Sequence, residues 1–85
     1  MWKIIQTEKF EKKLRKLPEQ IQRKYLKQLG LLRTDFGHPS LHIKKQTGDT
    51  WEARVDFHYR FTFGKVGEQL ILKTIGMHDE GLGKK

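Results

Sequence analysis

Glu52, Arg54 and Arg60 stand close together in the stretch Trp51 to Phe63, WEARVDFHYRFTF. A guanidinium presents a planar fork of N–H donors that matches a phosphate or carboxylate in bidentate fashion, so two on one surface make an anion clamp. A carboxylate beside them can pair with a guanidinium or accept a proton. Whether the three share a surface depends on the element that carries them.

The pattern answers this. Trp51, Ala53, Val55 and Phe57 fall on one parity and Glu52, Arg54, Asp56 and His58 on the other; past a turn, Tyr59, Phe61 and Phe63 alternate with Arg60 and Thr62. Period two predicts a half-buried β-hairpin with one apolar face and one polar face. Residues paired across antiparallel strands share a face. A two-residue loop at Phe57-His58 would put Arg60 on the face of Val55. An odd loop that pairs Asp56 with Arg60 and Arg54 with Thr62 keeps the faces apart. The expectation is therefore an odd connection, or a bulge with the same effect.

The chain has 85 residues and a formal net charge of +8. That length supports one domain with one small core. Its sequence pI is about 9.9, with Lys and Arg spread along the chain. A basic domain of this size points to a polyanion, RNA or DNA, or to an acidic protein. There is no cysteine, which excludes disulfides, thiolate zinc sites and cysteine nucleophiles and fits a reducing cytoplasm. No apolar run approaches the roughly 20 residues needed to span a bilayer. MWKIIQTEKF lacks the apolar core of a signal peptide. No metal site and no cofactor are expected: His78, Asp79 and Glu80 are consecutive and alternate in direction on an extended chain, and His38 and His42 flank a proline loop without further ligands.

The hairpin needs a scaffold. Trp2 to Gln6 reads as a first strand. Thr7 reads as an N-cap, with Glu8 and Glu11 in the first turn of a helix carrying Phe10, Leu14 and Leu17. Pro18 suits the first turn of a second helix, running to about Asp35, whose apolar stripe is Ile21, Tyr25, Leu29, Leu32 and Phe36. Leu26 and Leu31 lie off that stripe. After Gly37-His38-Pro39-Ser40, Leu41 to Lys45 reads as extended, with a turn around Gly48. A second turn at Gly67-Glu68 leads to QLILKTI, Gln69 to Ile75, which is apolar on both parities and reads as a central strand. The fold class is α+β: a strand, a helical hairpin, then strands of a twisted antiparallel sheet with both helices on one face and the other face open. One domain should occupy residues 1–80, with 81–85 a flexible tail.

In this order and at this length, FEKKLRKLPEQIQRK, HPSLHIKK, WEARVDFHYRFTF and IGMHDE resemble the RelE/ParE superfamily of toxin–antitoxin toxins, its RelE-like branch most closely, over nearly the whole chain. The resemblance implies a microRNase-like fold and metal-independent cleavage of mRNA, typically on the ribosome. It implies a cognate antitoxin that wraps the toxin and neutralises it; the cytoplasmic location is expected from the composition above. It implies roles by position: Arg60 and Arg54 for phosphate contact, Lys44 and Lys45 for RNA binding, and His78 as a catalytic residue at the end of the last strand. Two positions depart from the pattern. Glu52 stands where the best-known RelE members carry lysine, and only Gly81 to Lys85 follow where those members have a tyrosine.

Metal-free RNA cleavage needs a base for the 2′-hydroxyl, stabilisation of the phosphorane and an acid for the leaving 5′-oxygen. This sequence offers Glu52 as base, Arg54 and Arg60 as the clamp and His78 as acid, its ordinary pKa suiting neutral pH. Alternatives from other classes stay open. A ParE-like inhibitor of DNA gyrase would share the fold without cleaving RNA, and a weakened homologue would only bind an antitoxin. The plainer reading of Glu52, Arg54, Asp56 and Arg60 is a set of cross-strand ion pairs on a solvated face. The off-stripe Leu26 and Leu31, or a sheet edge, would take the antitoxin.

Overall fold

The computed structural model describes residues 2–77. Strand β1, Lys3–Gln6, leads into helix α1, Glu8–Arg15. Thr7 is the N-cap: its hydroxyl oxygen accepts from the Phe10 N–H at 3.1 Å, and Glu8 and Glu11 sit in the first turn. Helix α2, Glu19–Thr34, starts directly after Pro18, whose fixed φ suits a helix start and whose missing N–H costs nothing there. A single 3-10 turn, Pro39–Leu41, precedes the strands β2 (Lys44–Lys45), β3 (Thr50–Arg54), β4 (Tyr59–Val66) and β5 (Gln69–Met77).

The five strands form one sheet in the order β1-β5-β4-β3-β2. All neighbours are antiparallel except β1, which runs parallel to β5 with Ile5 opposite Ile71. The helical hairpin carries the chain from β1 at one edge of the sheet to β2 at the other, and the antiparallel run β2 to β5 returns it to lie beside β1. On the helix-covered face Phe10, Tyr25, Leu32, Leu41, Phe61, Phe63, Leu70 and Leu72 are wholly inaccessible. Tyr25 is the hub. Its ring meets Phe10 at 5.5 Å and Phe61 edge-on at 5.4 Å, and its hydroxyl donates to Gln6 Oε1 at 2.6 Å. Burial, then the charge of Glu11, pushes the Tyr25 phenol above its ordinary range, so it stays a neutral donor.

Two sequence expectations are corrected here. The hairpin register is shifted by two residues: Arg54 pairs with Arg60, and Thr62 with Glu52. The connection is a bulge, with the N–H groups of Val55 and Asp56 both donating to Tyr59 O, at 2.9 and 3.3 Å. A shift of two preserves parity, so the faces remain separate and Arg60 lies beside Arg54, not Val55. Phe57, on the apolar parity by pattern, sits at the exposed tip of the connection at 75% accessibility. The double parity of QLILKTI also has a backbone cause. The pairing slips between Thr62–Thr74 and Phe63–Leu72, leaving Lys73 as an extra residue. Leu70, Leu72 and Ile75 can then all face the core.

One end of the core is aromatic. Phe36 contacts Trp2, Trp51 and Phe63, and Lys65 Nζ lies 5.4, 5.0 and 4.9 Å from the ring centres of Trp2, Phe36 and Trp51. Trp51, partly buried, is thereby packed against the core. Among the described residues no helix is long and apolar enough to cross a membrane.

Candidate functional site

Glu52, Arg54 and Arg60 meet on the sheet face opposite the helices. With His42, Ile43 and Lys44 they line a concavity of about 370 Å³. The register explains the set. Lys44 is opposite Glu52 on β2–β3 and Arg54 is opposite Arg60 on β3–β4, so period two delivers all four to one side. On β5 the residue opposite Arg60 is Gly76, so no side chain flanks the guanidinium from that strand.

The basic pair divides. Lys44 joins the concavity, whereas Lys45 pairs with Trp51 and lies 5.7 Å from its ring centre. Consecutive strand residues point to opposite faces, so the two lysines cannot both serve one site. His78 lies outside the described residues, as do the predicted tail 81–85 and the last residues of the predicted domain 1–80.

Glu52 is 4% exposed, a carboxylate set into a sheet. Its Oε1 accepts from Gln46 Nε2 at 3.2 Å, and its Oε2 lies 3.6 Å from Arg60 Nε. The Arg60 side chain is itself only 14% exposed. Its Nη1 donates to the carbonyls of Asp56, Phe57 and Tyr59 at 3.0, 3.1 and 3.3 Å. Those carbonyls are held by the turn. The Asp56 carboxylate accepts from the N–H groups of His58 and Tyr59, both at 2.9 Å, and pairs with Lys24 of α2 at 3.3 Å. Burial alone would raise the Asp56 pKa; the two backbone donors and Lys24 outweigh it and hold the carboxyl below its ordinary value.

Arg54 is set differently. Its Nε is buried and has no hydrogen-bond partner among the described residues. A guanidinium directly opposite another on the neighbouring strand is unfavourable unless an anion joins them. Lys44, Arg54 and Arg60 surround the single carboxylate of Glu52 in this concavity, leaving it net positive.

Two residues of the site were not singled out by sequence. Gln28, on α2, is buried, and its Nε2 donates to Ser40 O at 3.1 Å and to Arg54 O at 2.9 Å. It ties the 3-10 turn and β3 to the helix that carries it; a glutamine on a helix gives no sequence sign of this. His42 lines the concavity two residues before Lys44, which parity could have indicated. Its φ of 46° places it in the left-handed region, uncommon for a residue other than glycine.

No family model matches the chain, and no curated protein matches it. Solved structures do. A chain of the archaeal RelE–RelB complex from Pyrococcus horikoshii superposes with a TM-score of 0.74 at 16% identity, over 93% of this chain and 97% of that one. The isolated Escherichia coli RelE toxin gives 0.72 at 17% identity, over 91% and 84%. A chain of the YoeB–YefM toxin–antitoxin complex from Staphylococcus aureus gives 0.72 at 8% identity, over 92% and 98%. The chain shares the fold of these RelE and YoeB structures. In this RelE-like fold the β3–β4 hairpin brings Glu52, Arg54 and Arg60 together, and β2 adds Lys44 beside them.

Proposed function

We propose that this protein is the toxin of a toxin–antitoxin pair and cleaves mRNA at the concavity between β2, β3 and β4, without a metal and in association with the ribosome. The observation that carries this is the opposed pair Arg54–Arg60, with Arg54 Nε buried and unpartnered beside Lys44. Ion pairs on a solvated face would leave Glu52 exposed and the arginines neutralised. One carboxylate among Lys44, Arg54 and Arg60 leaves positive charge over, and a phosphate supplies a second anion.

In the reaction the 2′-oxygen attacks phosphorus and the P–O5′ bond breaks. The 2′-hydroxyl proton goes to a base and a proton reaches O5′, leaving a 2′,3′-cyclic phosphate and a 5′-hydroxyl. Arg54 and Arg60 stabilise the charge gathering on the phosphorane. Glu52 acts through Arg60. At 4% exposure, with Arg60 Nε 3.6 Å away, it orients the guanidinium and is poorly placed to reach a substrate hydroxyl as the base expected from sequence. The imidazole lining the concavity is His42, which we assign as the proton carrier on this side. His78 is the proposed acid, on the resemblance alone. Lys44 contacts the RNA backbone; Lys45, on the other face, serves it only at a distance from the cleaved bond.

The partner is an antitoxin, a reading supported by the toxin–antitoxin complex among the similar folds. Leu26, 61% exposed on α2, offers it apolar surface. Induced expression of Arg60→Ala tests the site. The variant should fold and lose growth arrest, with cleavage reduced about 10²–10³-fold. A folded, fully toxic Arg60→Ala would remove the assignment.

A further inference from the structure

A second concavity, of about 340 Å³, adjoins the first and is lined by Phe36, Gly37, His38, Pro39, His42 and Ile43. His42 and Ile43 belong to both. The two differ in chemistry. The first carries Lys44, Glu52, Arg54 and Arg60; the second has no Lys, Arg, Asp or Glu in its lining. Its walls are an aromatic ring, a proline ring, an aliphatic side chain and two imidazoles, surfaces that suit a flat heteroaromatic ring. Gly37 contributes no side chain, and a Cβ there would meet nothing within 4 Å. His38 supplies a polar contact. Its Nδ1 accepts from the Ser40 N–H at 3.2 Å, so the neutral ring carries its proton on Nε2, a donor for a base carbonyl or ring nitrogen.

A nucleotide has the same division, an anionic phosphate joined to an uncharged planar base. We infer that the Phe36–Ile43 concavity is a nucleobase subsite. It holds the base of the nucleotide whose phosphate lies between Arg54 and Arg60. This rests on the RNA reading of the arginine site, and it assigns the segment between α2 and β2 a part in choosing where the RNA is cut. His42, at the junction, contacts both halves of that nucleotide.

The test is backbone amide NMR titration of the protein with ribose 5-phosphate and with the 3′- and 5′-monophosphates of adenosine, cytidine, guanosine and uridine. Ribose phosphate should shift amides of Glu52 to Arg60 only, while at least one nucleotide should also shift those of Gly37, His38 and Ile43. Gly37→Leu, which fills the subsite, should weaken that nucleotide about tenfold without weakening ribose phosphate, with a dispersed spectrum reporting that it folds. If nucleotides and ribose phosphate shift the same amides, or Gly37→Leu weakens neither, the base subsite is overturned and the phosphate site stands. If no probe shifts Glu52 to Arg60, the phosphate reading fails and the subsite falls with it.

Discussion

On the helix side of the β3–β4 hairpin, Ala53, Phe61 and Phe63 are wholly buried against α1 and α2; on the other side, Glu52 and Thr62 are nearly as inaccessible, at 4% and 5%. The first side is held by area. Its contacts are non-directional, many rings share them, and a change at one position is felt in proportion to the volume removed. The second is held by direction. Thr62 and Thr74 hydroxyls meet at 2.8 Å, Gln46 and Arg60 address Glu52, and three turn carbonyls fix Arg60. The apolar face stabilises the fold, whereas the polar face keeps like charges opposed and is stable only as far as its hydrogen bonds reach. That difference is the ground on which we propose the polar face as the ligand site.

The comparison can be broken at the core first. Phe61→Ala removes the ring that meets Tyr25 edge-on and should cost about 3–5 kcal/mol, measured by denaturant unfolding. A loss under about 1 kcal/mol would mean the core does not depend on that ring. Next comes the strut between the faces. Gln28→Leu leaves the Ser40 and Arg54 carbonyls without their donor and should cost about 1–3 kcal/mol, with cleavage falling further than stability accounts for.

Arg54→Thr sharpens the contrast. It relieves the opposition to Arg60, so stability should hold or rise by up to about 1 kcal/mol while growth arrest is lost. A clear drop in stability would make Arg54 an ordinary structural residue. The smallest effect is in pH. The Asp56 carboxyl is depressed in the folded state, so its contribution is present above the ordinary carboxylate pKa of about 4 and is lost as pH falls through the lower folded value. Asp56→Asn should flatten that part of the acid unfolding curve.

Much of this was legible in the sequence because periodicity reports faces. The α2 stripe placed Ile21, Tyr25 and Leu32 in the core, Thr7 announced its cap, and alternation brought Glu52, Arg54 and Arg60 to one side. What periodicity cannot see is a shift of two residues, since it changes partners and leaves faces alone. Hence Arg54 was expected opposite Thr62 and is opposite Arg60. The Lys73 irregularity and the parallel pairing of β1 on β5 are backbone events with no side-chain signature. The burial of Glu52 arises from what packs over it, Gln46 and Arg60, and no local pattern encodes that.

The central claim is that the polar face of the hairpin is built to cleave RNA. Mapping of mRNA 5′ ends after induced expression tests it most directly. The native chain should generate new 5′ ends bearing hydroxyls within translated messages, and Arg60→Ala should generate none. Growth arrest with intact messages and damaged DNA would contradict it.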